Sequence, residues 1–266
     1  MSPKPIYEAD QLRAAYHLRF GWTGWPSTDA FPEEICRALL PKVATQWEKD
    51  GLRLLESSLS HSMIQLTFSV RPQMSPVVLA ARVKGRLQYC LRESGHTFQF
   101  SRKLAVRSIG DNRTAEVQAY IMRQAQKEPL GDERFRHFLK EFTAVDPAIN
   151  LSTATESRSG RYWYNLHLVL VVRHRCRIVD AARLAKIRDQ SFRISRKKGH
   201  AVSSLSVMPD HLHIALRGNI SHSPEEIALT FLNNLAFVLG QDAVWEFGYY
   251  AGTFGEYDMG AVRKFA

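Results

Sequence analysis

Cysteine is scarce: the 266 residues hold three, Cys36, Cys90 and Cys176. An odd, scattered set supports neither a disulfide framework nor a zinc cluster and fits a reducing compartment. No signal-peptide pattern is present, nor any apolar run long enough to span a bilayer. The expectation is therefore a cytoplasmic, nucleoid-associated protein with no membrane partner. Acidic residues are the minority charge, 26 against 36 lysines and arginines. The resulting net charge of +10 points to a polyanionic partner. With 45% apolar residues, the chain can bury one large core or two small ones.

The stretch Met208-Pro209-Asp210-His211-Leu212-His213-Ile214-Ala215-Leu216 carries the most chemistry. On a strand, positions i and i+2 share a face. His211 and His213 thus project together, while Leu212 and Ile214 face the other way. Two imidazoles side by side on a strand are half of a metal site. The plainer reading is a pair of hydrogen-bonded histidines on a half-exposed sheet.

The surrounding residues favour the first reading. A strand at Tyr164-Asn165-Leu166-His167-Leu168-Val169-Leu170-Val171-Val172 runs into the basic turn Arg173-His174-Arg175-Cys176-Arg177. A helix follows, then Met208-Pro209-Asp210 and the His-x-His strand. This order resembles the His-hydrophobe-His (HUH) single-tyrosine DNA transposases, a group that includes the TnpA-like and REP-associated tyrosine transposases. The resemblance covers roughly residues 160 to 266.

The chain also resembles itself. His61-Ser62-Met63-Ile64 follows Ser57-Ser58-Leu59-Ser60 much as His211-Leu212-His213-Ile214 follows Ser203-Ser204-Leu205-Ser206, and both strands lead to a Ser-Pro pair (Ser75-Pro76, Ser223-Pro224). Tyr16-His17-Leu18-Arg19-Phe20 matches the strand that opens at Tyr164. Phe100, Gly110 and Tyr120 repeat the spacing of Trp245, Gly255 and Phe265. Such self-similarity predicts two α+β copies in tandem. The expected division is residues 1–142, a degenerate HUH domain supplying a tyrosine helix, a 143–160 linker, and a second HUH domain over 161–266. The resemblance implies a ferredoxin-like fold for each copy, and hence a monomeric pseudo-dimer.

Each copy lacks something different. This alignment puts Met63 where His213 stands, and methionine is a poor ligand for a hard divalent ion. The second copy has Phe265, which carries no hydroxyl, where the first has Tyr120. In Tyr120-Ile121-Met122-Arg123-Gln124, the i,i+4 spacing puts Tyr120 and Gln124 on one helix face. The resemblance implies that Tyr120 is the nucleophile and that His211, His213 and Gln124 hold Mg²⁺ or Mn²⁺ in one composite site. The implied reaction is attack of Tyr120 on a phosphodiester of single-stranded, hairpin-containing DNA. It leaves a 5′-phosphotyrosine and a free 3′-OH. Tyrosine hydroxyls ordinarily titrate near pH 10, so the attack needs assistance. Arg173, Arg175 and Arg177, with Arg196, Lys197 and Lys198, are the expected phosphate contacts. Trp163 and Tyr250 are among the rings that could stack on bases. The alternative is a retired DNA- or hairpin-binding protein descended from such an enzyme.

Overall fold

Ser-Pro pairs open two helices as their chemistry dictates. Proline at the first helical position has no N–H to leave unsatisfied, and serine caps the exposed donors. Ser75 Oγ accepts from the Val78 amide, and Ser223 makes a reciprocal capping box with Glu226. In this computed structural model, residues 5–27, 31–129, 131–240 and 243–265 are described. The elements in order are β1 (Arg13–His17), β2 (Arg19–Pro26), α1 (Glu33–Lys49), β3 (Leu52–Leu59), β4 (Ile64–Val70), α2 (Pro76–Glu93) and β5 (Phe100–Ile109). Then come α3 (Thr114–Met122), α4 (Glu133–Lys140), β6 (Thr143–Val145), β7 (Thr155–Glu156), β8 (Gly160–Trp163) and β9 (Asn165–Val172). The chain closes with α5 (Ala181–Lys198), β10 (Ala201–Val207), β11 (His211–Arg217), α6 (Pro224–Leu239), β12 (Trp245–Thr253) and α7 (Met259–Phe265).

The fold is α+β with two sheets. One runs β3-β4-β2-β5-β8-β7, the other β1-β12-β9-β11-β10-β6. Within each lies a β-α-β-β-α-β unit of identical connectivity, β2 to β5 in the first and β9 to β12 in the second. The strands within each unit pair antiparallel. The edges are exchanged. β1 immediately precedes β2 but pairs in parallel with β12 of the other sheet. β8 immediately precedes β9 but pairs in parallel with β5. The 143–160 stretch is consequently more than a linker: β6 extends the second sheet and β7 the first.

Pairing register corrects the internal alignment. Leu59 pairs with Ile64 as Val207 pairs with Leu212, and an irregularity falls between Leu54 and Glu56 as one does between Val202 and Ser204. Met63 and Gln65 therefore stand where His211 and His213 stand, and His61 lies in the turn before β4. Likewise Leu18, not Tyr16, is the counterpart of Tyr164: their carbonyls accept from Val70 and Gly218 respectively. Both slips are of two residues, which preserves the inward–outward pattern of a strand, so residue likeness alone could not detect them.

Helices α5 and α6 cover one face of the second sheet, burying Leu205, Leu212 and Ile214 with Leu184, Ile187 and Phe231. Helix α3, which follows the first unit, packs on the opposite face. Its Val117 and Ile121 meet Ala215, Leu151 and Phe254. Arg113 is its N-cap residue, and the Glu116 carboxylate accepts from the Arg113 amide. Helix α7 makes the reciprocal journey, with Arg263 Nε 3.0 Å from Glu56 Oε1 on β3. The side chain of Phe265 lies outside the described residues. The two outgoing segments touch where they pass, Gly110 against Asp258 and Arg113 against Gly255. A Cβ on Gly110 would stand 2.5 Å from the Thr253 carbonyl oxygen, and one on Gly255 2.5 Å from that of Ser108. Only glycine allows so close a crossing. Among the described residues no helix is long and apolar enough to cross a membrane.

Candidate active site

The side of the second sheet that faces α3 gathers four ring side chains from three adjacent strands. β11 contributes His211 and His213, β9 contributes His167, and β12 contributes Tyr250. His213 is opposite Val169, which is opposite Tyr250, and His167 is one alternation away on the same face. The rings of His211 and His213 lie 4.8 Å apart, those of His167 and His213 5.2 Å, and those of His167 and Tyr250 5.8 Å. Tyr120 reaches this cluster from α3, its ring edge-on to His213 at 5.4 Å and to His167 at 6.0 Å. The tyrosine helix of the first half thus lies against the histidines of the second.

The imidazoles are held in fixed orientations. His211 Nδ1 is 2.6 Å from Asp210 Oδ1, and Asp210 Oδ2 accepts from Arg175 at 2.8 Å. Burial pushes the Asp210 carboxyl up, but the hydrogen bonds from Arg175 and His211 outweigh it and hold the group below its usual range. His213 Nδ1 lies 3.0 Å from His167 Nε2. Burial, with His167, His211 and Lys127 adding like charge, depresses His213 to about 2. Burial alone takes His167 to about 4. Both are neutral at physiological pH, the form in which an imidazole binds a metal.

The donor set fits a divalent ion in part. His211 and His213 each have Nδ1 engaged, which leaves Nε2 as the outward donor, and the Asp210 carboxylate stands behind His211 as outer-shell partners commonly do. Gln124 is buried, and its Nε2 donates to the Tyr120 carbonyl at 2.9 Å, leaving Oε1 outside that bond. Among the described residues no group of three or more His, Cys, Asp or Glu side chains is arranged to hold a metal. Gln124 itself lies just past the end of α3, in the turn that follows Met122.

Past α3, a 3-10 turn over Ala125–Lys127 puts Lys127 Nζ 4.3 Å from the Tyr120 ring centre. The turn is anchored by Glu128, which is buried and ion-paired to Arg177 at 3.0 Å. Two of the arginines expected to contact phosphate, Arg175 and Arg177, are therefore engaged inside the site. Arg173 remains in the same turn. Arg196, Lys197 and Lys198 form the last turn of α5, on the helix-covered side of the sheet, away from the histidines.

Residues 161–265 match the family model described as Transposase IS200 like. This match supports a transposase relationship for the second half and points to DNA cleavage of the transposase type. It takes in His167, His211 and His213 but ends short of Tyr120 and Gln124, which come from the half the family model does not cover. No curated protein matches the chain.

His167 and Lys127 are the site residues that the sequence reading missed. A histidine amid Leu166, Leu168 and Leu170 was the available signal for His167, but it becomes informative only once β9 is known to lie beside β11. Lys127 gave no local signal, because its approach to Tyr120 depends on the turn after α3.

Proposed function

We propose that this chain is a single-stranded DNA nickase and strand transferase with one composite site, Tyr120 and Gln124 from the first half, His211 and His213 from the second. The observation that carries the reading is Tyr120, 38% exposed, seated against the buried His213 in a cluster whose other two imidazoles are half-buried. Exposure lets the hydroxyl reach a DNA phosphate. The matched connectivity and register of the two units favour an internal duplication of a ferredoxin-like domain, in which the first copy has lost its histidines.

In the proposed step the Tyr120 oxygen forms a bond to phosphorus as the bond from phosphorus to the 3′ oxygen breaks. The phenolic proton passes to solvent, and the leaving oxygen takes a proton up to become a 3′-OH. Mg²⁺ or Mn²⁺ held by His211, His213 and Gln124 would polarise the phosphate and stabilise charge on the leaving oxygen. Asp210 and His167 fix the rings of that pair. Lys127 supplies positive charge beside the tyrosine, where a phosphodiester is attracted and the phosphotyrosine forms. Rejoining is attack of a 3′-OH on the same phosphorus, so one site serves both directions without an external energy source.

The deciding experiment incubates the protein with single-stranded and hairpin oligonucleotides plus Mn²⁺ and resolves covalent adducts on a denaturing gel. A slower-migrating species that vanishes in Tyr120→Phe and falls at least a hundredfold in His211→Ala is the expected result. An adduct that persists in Tyr120→Phe identifies another nucleophile. Tight binding without any adduct favours the retired DNA-binding protein.

A further inference from the structure

The corresponding side of the first sheet has a different chemistry. Gln65 and Gly21 occupy the register positions that His213 and His167 hold in the second sheet. Beside Gly21 lie Arg107 on β5 and then Trp163 on β8. The Arg107 guanidinium lies 3.5 Å over the Trp163 ring and 5.9 Å from that of Tyr257. Arg107 is half-buried, yet among the described residues its guanidinium makes no ion pair and no hydrogen bond. Burial foremost holds its pKa below the usual arginine range; Tyr257 offsets part of that, and the like charge of Arg161 adds to it. A partly desolvated cation without a counter-ion leaves five N–H donors for an anion.

The rings around it are set differently. Trp163 is fixed by its indole N–H, which donates to the Ser152 carbonyl at 2.8 Å. Tyr257 is 50% exposed. It belongs to the segment between β12 and α7, where the Gly255 carbonyl accepts from the Thr114 amide and the Glu256 carboxylate from Ser152. This platform consequently adjoins the start of the tyrosine helix.

We infer that Arg107, Trp163 and Tyr257 form a second DNA subsite, which takes one unpaired nucleotide of the strand being processed. The base stacks on the exposed Tyr257 ring, and Arg107, backed by Trp163, donates to the adjoining phosphate. Aromatic stacking tolerates any base, because each has a π-face, and the chain's net charge of +10 suits the polyanion. The first half, with Gln65 and Gly21 at the positions of His213 and His167, then holds substrate instead of cutting it. The inference rests on the single-stranded DNA reading and specifies where a second stretch of that strand is held.

The test uses the full chain with Tyr120→Phe, so that binding is read without cleavage. The probes are fluorescein-labelled oligo-dT and an abasic oligomer of the same length. Tyr257→Ala should weaken oligo-dT binding roughly tenfold, within the range of one lost stacking contact, and leave the abasic oligomer nearly unchanged. Arg107→Gln should weaken both and reduce the slope of log affinity against log salt by about 0.7, one phosphate's worth on a single strand. Equal losses on both probes in Tyr257→Ala, or no change in either variant, would overturn the subsite. An absent covalent adduct in the unmutated chain would sink the nickase reading but not this binding result, so the two failures are distinguishable.

Discussion

His200 follows the left-handed Gly199 that ends α5, and its Nδ1 accepts a hydrogen bond from the Asn219 amide at 2.9 Å. Burial foremost, then the like charges of His222 and Lys198, lower it to about 4. Below pH 6.5 the unfolded chain binds a proton at this residue that the folded chain refuses. The neutral group's stability is therefore complete above 6.5 and is lost as pH falls toward 4. Its share is about 1.4 kcal/mol per pH unit, or about 2 kcal/mol at pH 5. Urea unfolding at pH 7 and pH 5 should show the decline, and His200→Gln should flatten the curve by one proton. At this scale the candidate site was largely legible. His211, His213, Tyr120 and Gln124 are chemically distinctive residues at telling spacings. Asp210 beside His211 was within reach of the sequence, but Asp210 meeting Arg175 and His213 meeting His167 were not, because those contacts depend on where separate strands and turns come to lie.

Among the elements, the passing segments after β5 and β12 tolerate the least change. Gly255→Ala sets a methyl group 2.5 Å from a backbone oxygen, and backbone cannot swing aside as a side chain can. A loss on the order of 3 kcal/mol is expected, seen as a melting temperature lower by about 5 °C or more. Gly85→Ala is the control, since nothing lies within 4 Å of its added Cβ. It should leave the melting temperature within about 2 °C or raise it, alanine being the better helix former. Helix limits were readable because caps announce them, as Ser75, Asp180 and Ser223 do. Strand partnership was not. β1 and β8 carry no mark in their residues that sends each to the opposite sheet, and a two-residue slip leaves both strand faces chemically alike.

At the scale of the whole molecule, the two halves are interleaved rather than adjacent. The first lends α3 and β1 to the second and receives α7 and β8 in return. Residues 161–266 expressed alone would have an uncovered face where α3 belongs and an unpaired edge at β12. That fragment should show poorly cooperative unfolding and no adduct. Adding a separately expressed 1–158 fragment should restore both, and failure to do so would mean that the connecting strands must be continuous for folding. The sequence pointed to two copies with the tyrosine helix lent by the first, but not to the exchange of β1, β8 and α7.

The trade has a kinetic consequence. When a catalytic group must arrive from another molecule, the fraction of working sites rises and falls with protein concentration. Here the lending half is tethered to the borrowing half, which makes the encounter intramolecular. The rate of adduct formation per chain should be constant from nanomolar to micromolar protein, and a single copy in a cell would be as fully equipped as a thousand.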